Sequence, residues 1–77
     1  MALRLYWYAS SGFDDSSKFS IYACWRKQPA IWVSGRVRGN VRYDFTWVFG
    51  RHQGLEQSLE AVEDQVIPLL IADRMTS

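Results

Sequence analysis

Through the first two thirds of the chain apolar residues recur at every second position, the period of a strand buried on one side. Leu3, Leu5, Trp7 and Ala9 share one side of a first predicted strand, with Arg4, Tyr6 and Tyr8 on the other. Residues 10–17 (Ser-Ser-Gly-Phe-Asp-Asp-Ser-Ser) are dense in turn formers and read as a surface loop. A second strand, from about Lys18 to Arg26, sets Phe19, Ile21, Ala23 and Trp25 against Ser20, Tyr22, Cys24 and Arg26. The third, Ala30 to Val37, carries Ile31, Val33, Gly35 and Val37 inward and Trp32, Ser34 and Arg36 outward. The fourth, Val41 to Phe49, turns Val41, Tyr43, Phe45, Trp47 and Phe49 inward.

Register follows from parity, because directly opposed residues of an antiparallel pair share a face. A two-residue Gly39-Asn40 turn pairs Arg38 with Val41 and Arg36 with Tyr43, mixing charge into the apolar face. A three-residue Arg38-Gly39-Asn40 loop instead pairs Val37 with Val41, Gly35 with Tyr43, Val33 with Phe45 and Ile31 with Trp47, and is the expected connection. The same argument favours a three-residue Lys27-Gln28-Pro29 loop that pairs Trp25 with Ile31. It also sets Arg36 opposite Arg42, a destabilising like-charge pair with Asp44 on the diagonal.

Beyond Gly50 the period changes. Leu55, Leu59, Val62, Val66, Leu69 and Leu70 fall at the spacing of one helix face, with Glu56, Glu60, Glu63 and Asp64 elsewhere on the same predicted helix. Pro68 lacks an amide hydrogen, so a kink or a second short segment from Pro68 to about Arg74 is expected. The order is β-β-β-β-α. A four-stranded antiparallel meander needs its apolar face covered, and this helix is the element available, which predicts an α+β two-layer sandwich in one domain over residues 1–77.

Composition agrees with one small core: 77 residues, 48% hydrophobic and 22% charged, outside the disordered class. Aromatic residues reach 16%, and the pattern divides them. Trp7, Trp25, Trp47, Phe19, Phe45, Phe49 and Tyr43 are expected in the core, and Tyr6, Tyr8, Tyr22 and Trp32 on the opposite sheet face among arginines. One Cys (Cys24) and one His (His52) exclude an intramolecular disulfide and a four-ligand zinc site of Cys and His. No nucleophile stands near a base in sequence and no phosphate-binding glycine fingerprint occurs, so no enzyme activity, metal or cofactor is implied. No signal peptide or apolar span is visible, and the chain reads as soluble and cytoplasmic.

Charge is split along the chain. Residues 1–54 hold eight Lys or Arg and three acids, residues 55–77 one Arg and five acids, for a net +1. Two surfaces therefore offer themselves for binding: an Arg/aromatic sheet face with Tyr22, Arg26, Trp32, Arg36, Arg38 and Arg42, and an acidic helix strip with Glu56, Glu60, Glu63 and Asp64.

The leading expectation is a non-enzymatic protein-binding domain that acts by occupying a partner's surface, the partner being a protein that handles nucleic acid, where an acidic strip competes with phosphate backbones. In size and strand-then-helix order the chain looks like the small inhibitors that phages and mobile elements make against host defences, anti-CRISPR proteins among them. That likeness rests on size and element order alone. The alternative is direct nucleic-acid binding by the sheet face, with arginines on phosphates or base edges and Tyr22 and Trp32 stacking. A three-stranded sheet backed by a helix is similar in outline to plant AP2-type DNA-binding domains, although that family's dipeptides are not matched here. A third expectation is a homodimer closed through the exposed rings.

Overall fold

A computed structural model describes residues 4–10 and 17–76 of the chain. Leu3 and most of the expected loop, residues 11–16, lie outside the described residues. The chain forms β1 (Trp7–Ala9), β2 (Lys18–Trp25), β3 (Gln28–Arg38), β4 (Val41–Phe49), β5 (His52–Glu56) and α1 (Leu59–Thr76). The strands make one antiparallel sheet in sequence order, and the helix covers one face. The small α+β architecture is the one the pattern predicts, but the sheet has five strands where four were expected.

The fifth strand escaped the pattern because its apolar cover comes from a neighbour. On β5 the residues facing the helix side are His52, Gly54 and Glu56, not a run of apolar side chains. The Trp47 indole lies over Gly54 so closely that a Cβ there would meet Nε1 at 2.6 Å. Its Nε1 then donates to Glu56 Oε2 at 3.2 Å. Leu55, expected in the core on the helix, instead points out of the other face and is exposed.

Both expected three-residue loops are two-residue turns followed by a bulge. Arg26 and Lys27, with φ of 57° and 67°, form the β2–β3 turn, so that Trp25 pairs with Gln28 and not with Ile31. Two positive φ values match a type I′ turn, whose twist fits a hairpin. Ala30 is then passed over on β3, Ala23 meets Ile31, and the apolar faces come back into phase. At the next hairpin Gly39 (φ 63°) and Asn40 make the turn, giving the Arg38–Val41 and Arg36–Tyr43 pairs that parity had argued against. Asp44, with φ of 56°, marks the irregularity on β4, after which Ser34 pairs with Thr46, Val33 with Trp47 and Ile31 with Phe49. A bulge flips a strand's alternation, so the tip and the body of one hairpin need not share a phase.

One consequence is that Val41 and Tyr43 leave the core face. Val41 is exposed and Tyr43 half-buried. Arg42 takes the inward side, its guanidinium 4.9 Å from the Phe19 ring centroid.

The helix begins at a Ser58 cap: Ser58 Oγ accepts from the Ala61 N–H at 3.1 Å, and its carbonyl accepts from Val62 N–H at 3.1 Å. Val62, Val66 and Leu70, four residues apart, are fully buried, with Leu59, Ile67 and Leu69 half-buried beside them. A single helix runs through Pro68, so the second short segment, one of the two expected outcomes, does not form. Pro68 is exposed, so the carbonyl deprived of its partner can meet water, while Val66 and Leu70 on either side hold the axis against the sheet. The sheet contributes Leu5, Phe19, Ile21, Ala23, Ile31, Val33, Phe45 and Trp47 to the same core. Trp7, Trp25 and Phe49 are only partly buried at its margin.

Gly35 lets the bulged strand approach. A Cβ there would lie 2.6 Å from Phe19 Cε1, 2.7 Å from the Tyr43 carbonyl oxygen and 2.8 Å from that of Asp44. Two of these are backbone atoms that cannot swing away. Gly35→Ala is therefore expected to lower unfolding free energy by about 1–3 kcal/mol in chemical denaturation; an unchanged midpoint would mean the bulge adjusts freely.

Candidate interaction surface on the open sheet face

With the helix on one side, the other face of the sheet has no second layer among the described residues. Its side chains fall into rows that cross the strands. One row runs Tyr8, Tyr22, Trp32, Val48 and Gln53 through all five strands, each residue registered with the next. The rings touch: Tyr8 and Tyr22 centroids are 5.6 Å apart and Tyr22 and Trp32 5.4 Å, both tilted. Trp32 remains 45% exposed and Tyr8 52%, so the packed row is still open to a partner.

The next row is Ser20, Ser34, Thr46 and Leu55, three hydroxyls ending in an exposed leucine. Beyond it come Lys18, Arg36 and Tyr43, and then Arg38 with Val41 at the hairpin tip. Four residues of strand separate Trp32 from Arg36, about 13 Å. The surface thus grades from aromatic at one end, through hydroxyl, to cationic at the other. A trough of about 480 Å³ opens at the cationic end, with Lys18, Ser34, Arg36, Asp44, Thr46 and Leu55 in its wall.

The residues expected to bind are only partly brought together. Tyr22 and Trp32 sit side by side in the aromatic row, and Arg36 and Arg38 lie on the same face. Arg42 does not, because the bulge at Asp44 turns it to the helix side. Arg26 is at the opposite end of the molecule in the β2–β3 turn, where its Nη2 lies 3.3 Å from both Asp73 Oδ2 and the Asp73 carbonyl oxygen. Trp25 Nε1 also donates to Asp73 Oδ2 at 2.7 Å, and the Arg74 guanidinium lies 5.4 Å from the Trp25 ring centroid. That cluster fixes the helix end to the turn and leaves Arg26 with a structural task.

The acidic strip also dissolves in part. Glu56 belongs to β5 and accepts from Trp47, so it is not on the helix. Glu60 and Asp64 are exposed, and Glu63 is half-buried.

The expected Arg36–Arg42 pair does not form, since Arg42 pairs with Val37. A different like-charge pair takes its place: Lys18 is directly opposite Arg36 on the outer face. Tyr8 lies on this face as expected, though it was not among the predicted binding residues, and Lys18, Val48 and Leu55, which were not singled out, complete the surface. Lys18 was legible by strand parity, whereas Leu55 required knowing that a fifth strand exists.

No known protein family, curated protein or solved structure matches this chain. What the fold defines is a helix-backed antiparallel sheet with one face open. Among the described residues no helix is long and apolar enough to cross a membrane, and no group of three or more His, Cys, Asp or Glu is arranged to hold a metal ion.

Like charges directly opposed across strands are destabilising by a few tenths of a kcal/mol, and that cost is screened by salt. Lys18→Gln is accordingly expected to raise the unfolding midpoint at low ionic strength. The gain should shrink as salt is raised toward about 1 M. Loss of stability at low salt would show that Lys18 is held by an attractive contact instead.

Proposed function

We propose that this chain is a non-enzymatic docking domain whose open sheet face binds another protein and acts by covering that protein's surface. The observation that carries the reading is the Tyr8–Tyr22–Trp32–Val48 row, contiguous, partly exposed and without a covering layer among the described residues. Tyr, Trp and Arg dominate binding hot spots, and an interface core of rings with a charged rim is the usual anatomy. Here the rim is cationic, with Lys18, Arg36 and Arg38 against Asp44, so the partner patch is apolar and edged with acids. A standard interface takes about 800 Å² from each partner, and the described surface totals 5863 Å². One standard interface would therefore occupy roughly one seventh of the surface of so small a domain.

Capture from lysate of the source cells with a tagged chain, run in parallel with Trp32→Ala and Tyr22→Ala, tests this. A stoichiometric protein should be recovered by the parent. Trp32→Ala should weaken binding at least about 30-fold, as loss of a hot-spot ring does, while its unfolding midpoint stays close to the parent's. A dimeric mass by light scattering that Trp32→Ala converts to monomer would replace this reading with self-association, and capture unaffected by either change would remove the face from binding.

A further inference from the structure

The β3–β4 hairpin outruns its neighbours. β2 begins at Lys18 opposite Arg36, and β5 ends at Glu56 opposite Phe45. Beyond the Arg36–Tyr43 rung, from Val37 to Arg42, the two strands therefore form a short ribbon with no further strand beside it among the described residues. It is tied at its base where Val37 N–H donates to the Ser17 carbonyl at 2.7 Å. The eleven residues of β3, at about 3.3 Å each, span most of the 40 Å long axis of a molecule 23 Å across.

This ribbon carries cations on both faces. Arg36 and Arg38 share the outer face with Lys18 at the base, and the bulge at Asp44 places Arg42 on the other face. Arg36 and Arg38 are exposed and make no ion pair or side-chain hydrogen bond with the described residues. Asp44, at the base, is the single acid within residues 36–44 of the sequence. The tip is slim: Gly39 has nothing within 4 Å of where a Cβ would project.

Cations confined to one face suit a flat acidic surface, whereas cations on both faces suit a slot with negative walls. The B-DNA major groove is such a slot, about 12 Å wide, bounded by two phosphate backbones and able to admit a two-stranded ribbon. The major groove of A-form RNA is too narrow and deep for side chains to read. We propose that the β3–β4 ribbon enters the major groove of duplex DNA, with Arg38 near the tip, and Arg36 and Arg42 directed to opposite backbones. This site shares Arg36 and Arg38 with the cationic rim of the proposed docking face but makes no use of the aromatic row, and Arg42 on the other face belongs to it alone.

Fluorescence anisotropy with a labelled B-form duplex of about 16 base pairs, the corresponding single strand, an RNA duplex and polyglutamate tests the assignment. Saturable binding to the DNA duplex is expected, tighter than to the other three. Neutralising three or four phosphates predicts an affinity loss of about 40- to 150-fold between about 50 and 200 mM salt. Arg38→Gln should weaken binding and flatten the salt dependence by about one contact, while Trp32→Ala should leave both unchanged. Arg42→Gln should act like Arg38→Gln; because Arg42 packs on Phe19, its melting curve is compared with the parent's, and the exposed Arg38 variant decides the matter if it is unfolded. Absent or salt-independent duplex binding overturns the proposal. So does equal or tighter binding of the single strand or RNA duplex, polyglutamate bound in preference to DNA, or loss on Trp32→Ala without loss on Arg38→Gln.

Discussion

The constraint on which the structure depends is that a sheet with one buried face must keep its alternation in phase across every strand, whatever turns join them. Two-residue turns give this chain tight, correctly twisted hairpins, yet they bring the wrong faces together at two of the three connections. Bulges at Ala30 and Asp44 absorb the mismatch within the strands. The body of the sheet then presents Phe19, Ile21, Ile31, Val33, Phe45 and Trp47 to the helix without interruption. The tip of the third hairpin is left in the opposite phase on one strand, and that is why Arg42 and Val41 exchange the sides that simple alternation would assign them.

The tryptophans facing the helix side show what else holds the layers together. Trp25 and Trp47 each give their indole N–H to a carboxylate brought from another element, Asp73 from the helix end and Glu56 from β5. An acid in the last turns of a helix is disfavoured by the helix dipole, so the position of Asp73 makes sense only with Arg26 and Trp25 beside it. Trp7, on the short edge strand, is the exception: its buried Nε1 finds no acceptor among the described residues. An unmet buried donor costs about 1–3 kcal/mol, which makes β1 the least secured part of the sheet.

Strong single-element patterns were legible in the sequence, and relations between elements were not. Period-two alternation located β2, β3 and β4, and the spacing of Val62, Val66 and Leu70 located the helix face. Alternation also put Tyr22 and Trp32 together on the open side and Arg36 with them. Leu55 and Glu56 were assigned to the helix because β5 has no inward apolar residue of its own; the indole of Trp47, nine residues before Glu56, performs that role. The register error has a similar origin. Parity correctly demanded an odd residue between the faces, and a three-residue loop and a two-residue turn plus bulge both supply one. The positive φ values of Arg26, Lys27 and Asp44 are not signalled by residue type at two of these three positions.

The order of strands in space, β1 to β5, is also their order in the chain. Each new strand has to close only a short loop to find its partner, so little chain entropy is lost at each addition. The sheet can assemble as a succession of neighbouring hairpins, a route of low contact order that favours rapid folding. The long-range ties come from the helix, whose Asp73 reaches back to the turn after β2 across 47 residues of chain. Its docking is the step that converts a set of locally paired strands into one cooperative unit.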